Sequence, residues 1–210
     1  MDARRAVQLY DEYVVAHGLE RMPLLTALRA RFDRSPAVLY PGCFLHVTPS
    51  FFFQHVVYVD RNELAREFFA QRDGVRSIVD ARRRYRQEPF IRFVAQDFTK
   101  PLPFDDSRFD LLLALYASDV SRSCACWIRP GGFVLTNDHH GDARDAAAMP
   151  DLELVAVVEE KGDVVRFLEG DLDGYLELAP DAVRRRRGAT RSPYVRSADY
   201  YLFRKTVRRG

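Results

Sequence analysis

Hydrophobic and polar positions along the chain follow two different periods. Up to Phe32 the apolar residues recur at helical spacing, through Ala6, Tyr10, Val14 and Val15, and Gly18 reads as a stop. Pro23 suits the first turn of a second helix with Leu24, Leu25 and Leu28 on its apolar face. The pattern then changes. Ala37-Val38-Leu39-Tyr40 is a short apolar run ended by Pro41-Gly42, and Val56-Val57-Tyr58-Val59 is another, ended by Asp60. A helix with Leu64, Phe68 and Phe69 on one side follows. Ile91-Arg92-Phe93-Val94 leads to Asp97, Phe109 to Leu115 is continuously apolar apart from Asp110, and Phe133-Val134-Leu135-Thr136 follows the turn Pro130-Gly131-Gly132.

Apolar runs of this length suit strands covered on both faces, as in a parallel sheet. Their alternation with helical stretches predicts crossover units with helices on both sides. The C-terminal part differs. Leu152–Val158 and Val164–Leu168 flank the turn-like Glu160-Lys161-Gly162-Asp163, which predicts a hairpin, and Tyr200-Tyr201-Leu202-Phe203 predicts a last strand. The expected whole is one doubly wound α/β domain over 1–210. N-terminal helices occupy 1–35, the core 36–168, and the last strand and tail 198–210. The stretch 169–197 holds Gly, Pro and clustered arginines, and is expected to be a lid or surface excursion.

Charge narrows the classes of partner. The chain has 32 Lys and Arg against 30 Asp and Glu, which argues against a dedicated nucleic-acid binder. The runs Arg82–Arg84 and Arg184–Arg187 read as solvated surface. No apolar stretch reaches membrane-span length, and the first ten residues lack the apolar core of a signal peptide. Cys43, Cys124 and Cys126 form no framework spacing, so reduced thiols and a cytoplasmic setting are expected.

Three motifs in order carry a resemblance. Asp97-Phe98-Thr99-Lys100-Pro101-Leu102-Pro103-Phe104 runs on to Ser107-Arg108-Phe109-Asp110. Trp127-Ile128-Arg129-Pro130-Gly131-Gly132-Phe133 follows, and Val56 to Asp60 precedes both. With the tail Asp199 to Lys205, the chain resembles class I S-adenosylmethionine-dependent methyltransferases. That family implies a Rossmann-like, mostly parallel seven-stranded sheet with an antiparallel C-terminal strand pair. It also implies S-adenosylmethionine as cofactor. By resemblance, Gly42 would let the backbone approach the cofactor's amino-acid end. Asp60 would accept from the ribose hydroxyls and Asp97 from the adenine amine, with Phe98 beside the ring. The rival for Asp60 is a helix cap, and for Asp97 a loop acid.

The first loop departs from the family. It reads Pro41-Gly42-Cys43-Phe44-Leu45-His46-Val47-Thr48-Pro49-Ser50, with one glycine where several are expected. Thr48 and Pro49 still suit a helix start. His46 could serve as a general base or fill space as a structural residue. Cys43 reads as a small buried hydrophobe.

The densest reactive cluster is Asn137-Asp138-His139-His140-Gly141-Asp142, after the fifth strand. His140 is the first candidate base, oriented by Asp138 or Asp142, and His139 a substrate contact. The rival is a polar loop that caps the next helix. Asp119, Asn137 and Asp138 are the nearest equivalents of the metal ligands of some O-methyltransferases, without a spacing that fixes a metal site. Tyr116, ending the fourth strand, would line the substrate pocket. The expected activity is methyl transfer to a small-molecule oxygen or nitrogen nucleophile. The alternative is a methyltransferase-like pseudoenzyme acting as a binding or regulatory module.

Overall fold

The continuous apolar runs become the centre of one sheet. A computed structural model of the chain describes residues 3–104, 108–115, 117–179 and 194–207. Strands β1 (Ala37–Pro41), β2 (His55–Asp60), β3 (Phe90–Ala95), β4 (Phe109–Ala114) and β5 (Ile128–Thr136) are parallel neighbours in the order β3-β2-β1-β4-β5. Then come β6 (Leu152–Lys161), β7 (Val164–Leu168) and β8 (Tyr200–Lys205), and the order continues β8-β6-β7. The last strand inserts antiparallel between β5 and β6. The expected hairpin is β6-β7, and β7 makes an eighth strand at the sheet edge, one more than the resemblance implied.

Strand side chains alternate between two faces, and each face has its own core. Val38, Tyr40, Val56, Tyr58, Leu111 and Leu113 pack under α1 (Ala3–Tyr10), α2 (Met22–Arg29), α3 (Glu63–Ala70) and α4 (Arg72–Asp80). Leu39, Val57, Val59, Leu112, Ala114 and Val134 pack under α5 (Val120–Cys124) and α6 (Asp142–Ala147). Phe51, Phe52 and Phe53 are buried core residues.

Local chemistry fixes the joints. Asn62 caps α3, its side chain accepting from the amides of Leu64 and Ala65. Asp110 on β4 accepts from the Ala37 amide at 2.6 Å and pairs with Arg129 at 2.5 Å, which ties the entries of β1 and β5 to β4. The Pro130-Gly131-Gly132 turn is a bulge inside β5 rather than a turn before it. Ile128 pairs with Phe109 and Phe133 with Leu111, so the intervening residues loop out. At Gly132 a Cβ would lie 2.9 Å from the Asp110 carbonyl oxygen, so only glycine fits the bulge.

The first crossover differs most from expectation. Between β1 and β2 there is one 3-10 turn, Thr48–Phe51, and no full helix. Pro49 starts it as expected, but the Thr48 hydroxyl does not cap it. Thr48 instead meets the Tyr10 hydroxyl at 2.6 Å, and Tyr10 also donates to Glu20 at 2.8 Å. Arg21 donates to the Tyr200 hydroxyl at 2.6 Å, joining the N-terminal helices to the last strand. In the expected lid, residues 180–193 lie outside the described residues. Its two shoulders are joined by Arg196, which donates to the Asp171 and Asp173 carbonyls and lies 4.2 Å from the Tyr175 ring centre.

Candidate functional site

In an open α/β sheet, ligands bind beyond the carboxyl ends of the strands where the strand order reverses. Here the reversal lies between β1 and β4, and the residues just beyond β2, β3 and β4 surround a cleft of about 320 Å³. It is lined by Asp60, Arg61, Asp97, Phe98, Thr99, Ser118 and Asp119. Three of the four residues expected to hold the cofactor, Asp60, Asp97 and Phe98, thus meet in one place. Arg61 and Ser118 were not singled out from the sequence, and Asp119 only as a nearest equivalent of a metal ligand. Their only signal was position, directly after Asp60 or just beyond the fourth apolar run.

Asp60 is held from two sides. One carboxylate oxygen accepts from the Phe44 amide at 2.8 Å, the other from the Asn62 amide at 2.9 Å. Asn62 is the helix cap, so the rival role for Asp60 falls to its neighbour. An ionised carboxylate offers about four lone-pair sites, so each oxygen can accept once more. Asp97 is also organised. Its Oδ1 accepts from the Thr99 amide at 3.0 Å and hydroxyl at 2.7 Å, and its Oδ2 pairs with Arg61 at 3.2 Å. The Thr99 hydrogen bonds first, and then the cations, hold its carboxyl below the ordinary value. The Arg61 side chain is 78% exposed, so its ion pair with Asp97 is a screened contact that a ligand can replace.

The first loop is filled by protein. Gly42 has φ +65°, and a Cβ there would lie 2.7 Å from the Ala117 Cβ. The glycine is therefore required by the approach of the segment after β4. Phe44 has φ +47°, in the left-handed region where the family's glycines would be at ease. Its ring packs edge-on to Tyr13 at 5.7 Å between centres. Cys43 and Leu45 are buried, and burial pushes the Cys43 thiol well above its ordinary value, so it is no nucleophile.

His46 belongs to this packing. Its Nε2 lies 3.3 Å from the Glu20 carbonyl, and its Nδ1 3.0 Å from the Tyr40 hydroxyl. One neutral tautomer satisfies both: Nε2–H donates to the carbonyl, and Nδ1 accepts from Tyr40. Burial lowers the His46 pKa to about 4. With both ring nitrogens engaged and the ring buried, His46 is not placed as a base for the cleft. The expectation of a catalytic role is corrected by its hydrogen bonds.

The loop after β5 is arranged otherwise. His139 and His140 are exposed, with their rings edge-on at 4.5 Å. Asp142 turns inward. Its carboxylate accepts from the Ser121 amide at 2.9 Å, the Ser121 hydroxyl at 2.5 Å and the Thr136 hydroxyl at 2.8 Å, and burial raises its pKa. It joins β5, α5 and α6 and does not orient His140. Asp138 accepts from the Tyr194 hydroxyl and, at 3.3 Å, from the Arg144 amide. It therefore links this loop to the far shoulder of the 169–197 excursion. Tyr116 lies outside the described residues. Among the described residues no cluster of three or more His, Cys, Asp or Glu could hold a metal ion, and no helix is long and apolar enough to cross a membrane.

No protein-family model and no curated protein matches the chain. Solved structures do. A protein from Thermotoga maritima described as an SAM-dependent methyltransferase, possible histamine N-methyltransferase, aligns over 96% of each chain at 13% identity and a TM-score of 0.51. The N-methyltransferase NodS from Bradyrhizobium japonicum WM9 aligns over 94% of this chain and 99% of its own, at 14% identity and a TM-score of 0.49. The [4+2]-cyclase SpnF aligns over 57% of this chain at 18% identity and a TM-score of 0.43, and the chain spans 44% of its length. The likeness is one of fold. The chain has a class I methyltransferase-like fold with the sheet order described above and its last strand antiparallel between β5 and β6.

The residues present fit one half of the cofactor that this fold implies. Asp60 and Asp97 are acceptors with the chemistry for ribose hydroxyls and an adenine amine, and Phe98 supplies an apolar wall. The fit at the methionine end is poor as the loop stands, because residues 42–47 do not line the cleft and Ala117 occupies the space over Gly42.

Proposed function

We propose that this chain binds S-adenosylmethionine by its adenosine half at the Asp60–Asp97 cleft and transfers a methyl group to a small-molecule oxygen or nitrogen nucleophile. The observation that carries this is the meeting of two acceptor carboxylates, from the ends of neighbouring strands, in one cleft at the reversal of strand order. The match along the whole chain to a methyltransferase of Thermotoga maritima supports it. When bound, S-adenosylmethionine would supply an electrophilic methyl group. The protein's own work is to position the nucleophile and remove its proton. His140 is the residue for the proton and His139 its neighbour on the substrate side, because both are exposed on the loop after β5. Asp138, held by Tyr194, positions that loop. Tyr116 retains its proposed place in the substrate pocket. The free cysteines suit a cytoplasmic setting.

A second function is favoured by a specific observation. Phe44 and Ala117 fill the region where the methionine end would lie, which suits a pseudoenzyme that binds adenosine-like ligands without transferring methyl. Incubation with methyl-labelled S-adenosylmethionine and a pool of small hydroxyl and amine compounds separates the two. Label transfer that is lost in His140→Ala supports the first. Ligand binding without transfer to any acceptor supports the second, and absence of adenosyl binding defeats both.

A further inference from the structure

At the amino ends of the strands, opposite the Asp60–Asp97 cleft, lies a second hollow of about 670 Å³. Ser35, just before β1, and Gln54, just before β2, line it with the end of α2 and the segment after α4. Its walls are tied to one another. The Gln54 amide donates to the Ser35 hydroxyl at 3.0 Å, the Arg84 amide to the Phe51 carbonyl at 2.8 Å, and the Tyr85 hydroxyl to the Ser50 carbonyl at 2.7 Å. The hollow is therefore preformed, and its size is that of a small-molecule site.

Its charge is not compensated. Arg29, Arg34 and Arg84 line it against one acid, Asp33, and none of the four has an ion pair among the described residues. Neutral groups hold two of the guanidiniums. Arg29 donates to the Phe32 carbonyl at 2.6 Å. Arg84 donates to the Thr26 hydroxyl at 3.1 Å and lies over the Phe52 ring at 4.8 Å. The Arg34 side chain makes no hydrogen bond or ring contact among the described residues. A guanidinium has five N–H donors, so most of these are left for a ligand. The arginines around the hollow differ. Arg31 pairs with Glu169, Arg82 with Glu20, and Arg76 and Arg83 share Asp80, with Glu88 also on Arg76. Arg86 stands outside the lining. The excess positive charge is gathered at the hollow rather than drawn out as a track.

We propose that this hollow binds a small phosphate ester, a sugar phosphate or a mononucleotide. Guanidiniums pair with phosphate through two parallel N–H donors, and an arginine held by a carbonyl or an aromatic ring keeps its full charge for that purpose. A bare phosphate would fill little of the volume. The Tyr85 ring and the Gln54 and Gln87 side chains line the remainder and suit a polar organic part. A polynucleotide needs positive charge repeated along its backbone, and the paired state of Arg31, Arg76, Arg82 and Arg83 does not supply it. The site is separate from the cleft beyond the carboxyl ends of the strands, so its ligand is not the methyl acceptor.

The test titrates the full chain by calorimetry with glucose monophosphate, uridine monophosphate and inorganic phosphate, beside unphosphorylated glucose and uridine. At least one ester should bind saturably below millimolar, and its unphosphorylated counterpart at least about tenfold more weakly. The ester that binds more tightly tells sugar phosphate from nucleotide. Arg34→Gln, which breaks no contact in the fold, should weaken that ester about tenfold, and Arg84→Gln should do the same, with both melting temperatures read in parallel. No saturable binding of either ester, equal binding with and without the phosphate, or indifference to Arg34→Gln overturns the proposal. So does inorganic phosphate binding as tightly as the esters, which leaves only a bare-anion site. Displacement of the ester by S-adenosylhomocysteine would move it to the Asp60–Asp97 cleft, and tighter binding of single-stranded RNA at matched salt would assign the hollow to nucleic acid; either result overturns it.

Discussion

The loops after β1 and β5 lie at the same edge of the same sheet, and each carries histidine, yet they are built in opposite senses. In the first loop the imidazole is inside. His46 is buried and held by Tyr40 and Glu20, and the loop amide of Phe44 holds Asp60. In the fifth loop the carboxylate is inside. Asp142 is buried and held by Ser121 and Thr136, while His139 and His140 remain at the surface. A reactive side chain is free for chemistry when another group takes the structural work. Asp142 does that work in the fifth loop, and His46 does it in the first.

The contrast is broken most strongly by kinetics. His140→Ala should lower methyl transfer by about 10²–10⁴-fold while adenosyl binding holds, because a general base acts on the nucleophile's proton. A loss of that size in a folded His46→Gln variant, with His140→Ala unaffected, would reverse the assignment of the two loops.

Stability against pH sharpens it next. Unfolded, His46 takes up a proton near pH 6.5, but in the folded chain only near 4. Its contribution is therefore full above pH 6.5 and is lost as pH falls from 6.5 to 4, by about 3 kcal/mol across that window. Asp142 has the opposite sign. Burial raises its pKa above the ordinary 3.8, so its contribution is greatest below 3.8 and declines as pH rises through the raised value. Denaturant midpoints from pH 4 to 8 should show a flatter acid limb in His46→Gln than in the wild type. Asp142→Asn should remove the opposing trend. A His46→Gln acid limb as steep as the wild type's would show that His46 is not buried neutral.

Asp142→Ala leaves the Ser121 and Thr136 hydroxyls and the Ser121 amide without their acceptor. The expected cost is about 1–3 kcal/mol, read as a fall of the melting temperature. An unchanged melting temperature would remove Asp142 from the frame of the fifth loop. Phe44→Gly should destabilise modestly. Relief of the left-handed backbone gains about 1–2 kcal/mol, but the half-buried ring packed against the core is lost at about 1.5–3 kcal/mol, with the edge-on Tyr13 contact adding about 0.5–1.5 kcal/mol, so the melting temperature should fall. If the first loop limits the methionine end, the same variant binds S-adenosylmethionine more tightly and adenosine unchanged. Equal affinity for both ligands in variant and wild type would free Phe44 of that role.

Much of the fold was legible because burial on both faces leaves no room for polar residues. Val56 to Val59 and Leu111 to Leu115 had to be interior strands, and the Leu152–Leu168 hairpin announced itself by its Gly162-Asp163 turn. The first crossover was less legible. Thr48 and Pro49 carry the signs of a helix start, but Phe51, Phe52 and Phe53 must all be buried, which leaves room for one turn before β2. At the site, the acids ending strands were readable as Asp60 and Asp97. The inward turn of Asp142 was not, since it depends on Ser121 and Thr136, which are distant or unremarkable in sequence. His46 was ambiguous for the same reason: its partners, Tyr40 and the Glu20 carbonyl, come from a strand and a helical turn that only the folded chain brings together.

The central claim is that the Asp60–Asp97 cleft holds an adenosyl ligand, and titration calorimetry of wild type against Asp60→Ala with S-adenosylmethionine and S-adenosylhomocysteine tests it most directly. Hydrogen bonds to a charged group contribute about 1.5–3 kcal/mol each, so the folded variant should bind about 10–100-fold more weakly. Equal affinity in wild type and variant, or no binding by the wild type at millimolar ligand, would contradict the account.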